Sequence, residues 1–178
     1  MFTKILVSID NSDMTQHIVD EAVSLAKATS ANLMFLHVIC PLDEPYFDPL
    51  FMQPTILYSE LHKETQKKNL KEWEEFKQNK ENWLLDLCES ATSAGVKAEY
   101  TLNIGDPSNR ICDFAGSWNA DVIVIGRRGH RGFTELFLGS VSNYVMHHAP
   151  CSVLTVQGPI LSTSAASQTQ DIETKPAN

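Results

Sequence analysis

The chain has 178 residues, 43% of them hydrophobic, with a formal net charge of −8. That length and apolar content suit one domain with a buried core and a modest insertion or tail. The acidity argues against a general nucleic-acid or membrane-surface binder, because those partners are anionic and require a basic face. The cysteines Cys40, Cys88, Cys112 and Cys151 are widely spaced and form no CxxC or Cys/His ligand pattern. Free thiols in a reducing, cytoplasmic compartment are the expectation. No window reaches the ~18 apolar residues of a membrane span. The chain opens on a strand-like run with no basic region ahead of a long apolar stretch, so no signal peptide is expected.

In chain order, Lys4-Ile5-Leu6-Val7-Ser8-Ile9 predicts a buried strand over 5–9, followed by a polar turn at 10–13. Ile18, Val19, Ala22, Val23, Leu25 and Ala26 fall at helical spacing, which predicts a helix over about 16–28. Residues 32–39 (NLMFLHVI) form a second buried strand ended by Pro41. The proline-rich stretch 41–55 reads as an irregular loop. Residues 58–94 hold no Pro or Gly and read as a long helix. Its first part, to 82, mixes Lys and Glu as a solvated face with i,i+4 pairs; its second part carries the apolar stripe Trp83, Leu84, Leu87, Cys88 and Ala91. Gly95 is the expected stop.

A third strand is predicted over 96–103. Asp106 then reads as an N-cap, with Pro107 opening a helix to about 118. Residues 121–125 (DVIVI) are apolar on both faces, as in parallel sheets. A glycine-rich loop leads to a short helix over 140–148 and a fifth strand over 152–156. Strands alternating with helices predict an α/β fold, an open five-stranded parallel sheet with helices on both faces. From 158 onward the Ser/Thr/Ala/Gln-rich composition predicts a disordered tail.

In such sheets ligands bind at the C-terminal strand ends, where strand order reverses. The strongest candidate follows the fourth strand: Gly126-Arg127-Arg128-Gly129-His130-Arg131-Gly132, then Gly139-Ser140-Val141-Ser142. Gly126 and Gly129 can take positive φ and let backbone N–H groups approach an anion. The helix start at Gly139-Ser140 adds free N–H groups and a favourable dipole, and Ser140 and Ser142 add hydroxyls. A glycine-rich surface loop with a serine cap is the plainer alternative. The arginines and His130 either touch the anion or stand in solvent. His147-His148 point apart on a helix and do not predict a metal site. His37 reads as a packed strand residue. Ser8 has no His/Asp partner pattern to make it a nucleophile.

The spacing Gly126, two residues, Gly129, nine residues, Gly139, Ser140 resembles the ATP-binding motif of the universal stress protein family. The ends of the domain, residues 4–10 and 149–156, are similar to that family as well. The resemblance covers about 1–157, with a variable insertion at about 41–82 and the tail at 158–178. It implies a Rossmann-like sheet of strand order 3-2-1-4-5. It also implies ATP or ADP as ligand, with Mg²⁺ carried by the phosphates. Gly126, Arg128, Gly129, Gly139, Ser140, Val141 and Ser142 would form the phosphate end. Asp10 would accept from the ribose hydroxyls, or else cap the first helix. Val38 would meet adenine through its backbone, with Ser8, Ile9 and Ile125 nearby; plain strand core is the alternative for these. The family's usual Gly after the acidic residue is Asn11 here, and Asn also tolerates positive φ. The implied role is an ATP-binding regulatory stress-response protein. A slow Mg²⁺-dependent hydrolase or phosphotransferase, and a nucleotide-independent dimeric scaffold, are the alternatives. A homodimer paired through the fifth strand, Ser152–Val156, is expected because that unprotected edge invites pairing.

Overall fold

The computed structural model describes residues 1–41, 63–127 and 139–158. The elements are β1 (Lys4–Ser8), α1 (Thr15–Thr29), β2 (Asn32–Ile39), α2 (Lys63–Ser93), β3 (Ala98–Ile104), α3 (Pro107–Trp118), β4 (Val122–Gly126), α4 (Ser140–His148) and β5 (Ser152–Val156). The strands form one parallel sheet in the order β3-β2-β1-β4-β5. This is the predicted fold and strand order. Predicted residues 42–62, which hold most of the loop and the start of the long helix, lie outside the described residues, as does the tail from 159.

The central strands explain their own sequences. Ile5, Leu6 and Val7 are fully buried, as are Ile123 and Val124. Side chains alternate between faces, so strands covered on both sides must be apolar throughout. Ile5, Val7, Val122 and Val124 pack with Ile18, Val19 and Ala22 of α1 and Leu84, Cys88 and Ala91 of α2. Leu6 and Ile123 pack with Ile111 and Ala115 of α3 and Val145 of α4. Each fully buried Val, Leu, Ile or Phe contributes about 1.5–3 kcal/mol.

Three helices end alike. Ser30 (φ 57°), Gly95 (φ 87°) and Asn119 (φ 56°) adopt the left-handed conformation. In each case the next residue's amide reaches back into the last turn: Ala31 to Ala26 O, Val96 to Ala91 O and Ala120 to Ala115 O. This pairing satisfies orphan carbonyls and turns the chain toward the next strand. At the start of α3, Asp106 Oδ1 accepts from the Asn109 amide at 2.9 Å with Pro107 in the first turn, as predicted. On the exposed part of α2, Lys68–Glu72, Lys71–Glu75 and Lys77–Glu74 pair along the helix. Such solvated pairs contribute only a few tenths of a kcal/mol each.

At the N-terminal end of the sheet, Asp121 Oδ2 accepts from Thr3 N, Thr3 Oγ1 and Lys4 N at 2.7, 2.7 and 2.9 Å. This ties β1 to the start of β4. Among the described residues no helix is long and apolar enough to cross a membrane.

Candidate functional site

β1 and β4 are parallel neighbours, paired from Ile5↔Val122 to Ser8↔Ile125. The helix that follows β1 covers one face of the sheet and the helix that follows β4 covers the other. The two strand ends therefore form the switch point of the sheet, where doubly wound folds place a ligand crevice.

On the β1 side, Asn11 takes φ 58° and turns the chain out of the sheet, as expected for an Asn standing in place of Gly. Asp10 Oδ1 accepts from the Ser12 amide at 3.2 Å, and Ser12 Oγ accepts from the Met14 amide at 3.3 Å. α1 begins only at Thr15, with Met14 at its cap position and no side-chain cap. The alternative of Asp10 as helix cap is thus corrected: its carboxylate is held by a local turn at the mouth of the crevice. Ser8 is half-buried at the end of β1.

Ile9 and Ile125 are both buried, but in different cores. Ile9 packs on the α1/α2 face, whereas Ile125 packs on the α3/α4 face. Their side chains point to opposite faces of the sheet. Val38 is half-buried beside the α3/α4 core. Its neighbour His37 is only 6% exposed; Nδ1 lies 2.8 Å from Ile9 O, and the ring meets Trp83 edge-on at 5.4 Å.

On the β4 side, Gly126 is the last strand residue and pairs with Val156. Among the described glycines, those with positive φ are Gly95 and Gly105. Gly126 therefore does not use the conformational freedom anticipated for it; it continues the strand. The Arg127 amide donates to Val156 O at 2.8 Å, and its Nη1 donates to Gln157 Oε1 at 3.0 Å. Arg128, Gly129, His130 and Arg131 lie outside the described residues. Beyond them the Gly139 amide returns to Arg127 O at 2.9 Å. Gly139 (φ −59°, ψ 153°) is the cap position of α4.

Ser140 is exposed and Val141 half-buried. Ser142 is only 3% exposed, and its Oγ lies 3.2 Å from Arg127 O and 3.0 Å from Gly139 O. The expected donor role of Ser142 toward a ligand is thus taken by the protein itself, which uses this hydroxyl to fasten α4 to the end of β4. The first intrahelical bond of α4 is Asn143 N to Gly139 O. The amides of Ser140, Val141 and Ser142 have no intrahelical acceptor, which leaves a donor-rich, electropositive helix start. Sequence reasoning missed the His37, Ser142 and Arg127 contacts, which depend on where the strands stop pairing and where α4 begins.

Other candidate groups are structural. Burial, with Glu99 nearby, pushes the Cys88 thiol up to about 11. Burial likewise raises Cys112 and Cys151. All four cysteines are free, and raised thiols are poor nucleophiles. His148 stacks on Tyr144 at 4.0 Å, with Nδ1 2.9 Å from Tyr144 O. Among the described residues no group of three His, Cys, Asp or Glu could hold a metal ion.

The universal stress protein family model matches residues 1–157. The chain belongs to that family. Universal stress protein Sll1388 of Synechocystis is 35% identical over 159 residues, covering 88% of this chain and 98% of that protein. Universal stress protein YxiE of Bacillus subtilis is 35% identical over 159 residues, covering 88% of this chain and all (100%) of its own. Among solved structures, the hypothetical protein MJ0577 superposes with TM-score 0.68 at 19% identity, covering 89% of this chain and 98% of its own. A universal stress protein in complex with cAMP gives TM-score 0.59 at 21% identity, covering 88% of this chain and 97% of its own. The universal stress protein of Archaeoglobus fulgidus in complex with dAMP gives 0.54 at 20% identity, covering 86% and 97%. At these identities the solved structures bear on fold. In this universal stress protein, Gly126 precedes Arg127 at the end of β4, and Gly139 and Ser140 open α4; Gly129 lies outside the described residues.

Proposed function

We propose that this universal stress protein binds ATP in the β1/β4 crevice and uses it as a conformational or assembly signal. The observation that carries this reading is the return of Gly139 to Arg127, which fastens the start of α4, with its amides that have no intrahelical acceptor, to the end of β4 beside β1. An anion at such a helix start gains charge-assisted hydrogen bonds of about 1.5–3 kcal/mol each. A carboxylate at the opposite lip suits vicinal hydroxyls, which donate to it. The phosphates would meet Gly126, Arg128, Gly129, Gly139, Ser140 and the amides of Val141 and Ser142; Asp10 would hold the ribose. The base would lie by Ser8, Ile9, Val38 and Ile125, with the backbone carrying most of the contact. Mg²⁺ would ride on the phosphates, with the exposed Ser140 hydroxyl in reach. The complexes of related folds with cAMP and dAMP support a nucleotide ligand.

Phosphoryl transfer requires a residue that orients the attacking oxygen, and nothing in the described crevice is aligned for that task. The reading is therefore a binding protein with slow or no turnover, acting in the cytoplasm as a homodimer joined through β5. The nucleotide domain would span 1–157 with the insertion at about 41–82, and the tail at 158–178 would be dispensable.

Purifying the chain without added nucleotide, denaturing it and identifying what is released by mass spectrometry tests the ligand. ATP or ADP at near-equimolar yield is expected. No released nucleotide, together with no calorimetric binding at millimolar ATP, would overturn the reading. A turnover assay with Mg²⁺ then separates a signal-binding protein from an enzyme.

A further inference from the structure

We propose that His37 is a positioning residue: it ends the β1–β2 ladder one rung early and so presents the Val38 backbone to a ligand base. The inference rests on the nucleotide reading above and deepens it to recognition of the base edge.

In a parallel ladder, alternate residues of a strand turn their backbone groups to the same neighbour. Along β2 the even-numbered residues face β1. The Asn32 amide donates to Thr3 O at 2.9 Å, and Leu36 O accepts from the Ile9 amide at 3.1 Å. The odd-numbered residues face β3: the Leu33 amide donates to Lys97 O, and Ile39 O accepts from the Gly105 amide, both at 2.9 Å. Val38 therefore aims its N–H and C=O at β1, and the next rung would run from Val38 N–H to Ile9 O.

That oxygen is taken instead by His37 Nδ1, at 2.8 Å. The register of β1 with β2 stops at Ser8↔Leu36, and among the described residues no backbone hydrogen bond joins Val38 to Ile9 or Asn11. A carbonyl only accepts, so Nδ1 carries the proton in the neutral ring and in the imidazolium alike. The contact with Trp83 of α2 holds the ring in place. The rung after that would bring the Asn11 amide to Val38 O; the positive φ of Asn11 carries the chain away. Both Val38 groups are thus vacated together. They offer one donor and one acceptor at a single residue, which matches a base edge carrying an acceptor beside a donor, such as N1 and the exocyclic amine of adenine. A packed histidine with no such role would leave base-edge recognition untouched when replaced.

The test compares ATP with 1-deaza-ATP, in which C–H replaces the N1 acceptor. The wild-type chain should favour ATP by about tenfold, the usual upper effect of one neutral hydrogen bond. In His37→Leu, Ile9 O recaptures the Val38 amide, and the preference should fall toward one. His37→Asn, whose Nδ2 can donate to Ile9 O, should restore it. A folded His37→Leu with the wild-type preference overturns the proposal, as does a wild-type chain that binds both ligands equally. Amide exchange without ligand gives a second reading that needs only the wild-type chain. The Val38 amide should exchange much faster than that of Leu36, and equal protection overturns the proposal. ATP binding with an unchanged preference defeats this inference alone; no ATP binding by the wild type defeats the nucleotide reading itself.

Discussion

The Gly139 amide donates to the Arg127 carbonyl across 2.9 Å, and the buried Ser142 hydroxyl lies 3.2 Å from the same oxygen. One acceptor thus fixes the start of α4 against the end of β4. The glycine at this point has an ordinary backbone, φ −59°, so a side chain there is not forced into strain. A glycine at this position places no side chain at the start of α4.

Gly139→Val should therefore separate affinity from stability. Val in place of Gly at the cap position should cost about 0.5–2 kcal/mol of stability. ATP affinity should fall at least tenfold, about 1.4 kcal/mol, because a branched side chain occupies the approach of the phosphates. Calorimetric titration beside thermal unfolding reads both. Unchanged affinity in a folded variant would remove Gly139 from the phosphate end.

Ser142→Ala tests the fastening. Losing one buried hydrogen bond should cost about 0.5–1.5 kcal/mol of stability and loosen α4. Chemical denaturation should show a lower midpoint with an unchanged slope. A midpoint equal to wild type would mean that the Gly139–Arg127 bond alone suffices.

Asp10 holds its turn through Oδ1, which accepts from the Ser12 amide. Asp10→Asn keeps an oxygen able to do this but removes the charge and one acceptor. Stability should stay within about 0.5 kcal/mol, the usual range of a tolerated surface change. ATP affinity should fall more than that for inorganic triphosphate, which has no ribose. Equal losses for the two ligands would assign Asp10 a general electrostatic role.

Much of this architecture was legible in the sequence, because strands buried on both faces must be largely apolar and the runs at 5–9, 32–39 and 121–125 are. Caps were legible where one residue type serves one geometry, as at Asp106 and Gly95. What the sequence hid depends on register. Whether His37 donates to Ile9 depends on where two strands stop pairing. Gly126 looked like a turn glycine, yet it extends β4, because the chain pairs with Val156 before it turns. Asp10 carries a capping type of side chain, but α1 begins at Thr15, within a residue of the expected start, with Met14 at the cap position; Asp10 instead holds the turn ahead of it.

Register also decides how to test the β5 edge. Val156 O accepts from the Arg127 amide, so the even-numbered residues of β5 point their backbone at β4 and the odd-numbered ones point outward. Leu154, a 41% exposed residue, has its amide turned into the sheet. Thr155 presents its amide to the outer side of β5, away from β4. Thr155→Pro should abolish an edge-to-edge homodimer while the fold survives, whereas Leu154→Pro should damage the sheet itself. Sedimentation of folded Thr155→Pro as a dimer would move the interface elsewhere.

Hydrogen bonds from the Thr3 amide first, then the Thr3 hydroxyl and the Lys4 amide, hold the Asp121 carboxyl down to about 2. A carboxylate lowered in the folded state stabilises above its unfolded value of about 3.9, and that contribution is lost as pH falls through the folded value. Acid unfolding of Asp121→Asn should therefore differ from wild type above about pH 4 and converge with it near pH 2. A carbon-detected titration of Asp121 with a midpoint near 3.9 would contradict this.

The most direct measurement is a titration of ATP and Mg²⁺ into the ¹⁵N-labelled full chain. Saturable shifts are expected at the amides of Asp10, Val38, Gly139, Ser140, Val141 and Ser142, with the N-terminal end of the sheet around Thr3 and Asp121 unmoved. No saturable shift at millimolar ATP, or shifts gathered away from the β1/β4 crevice, would contradict it.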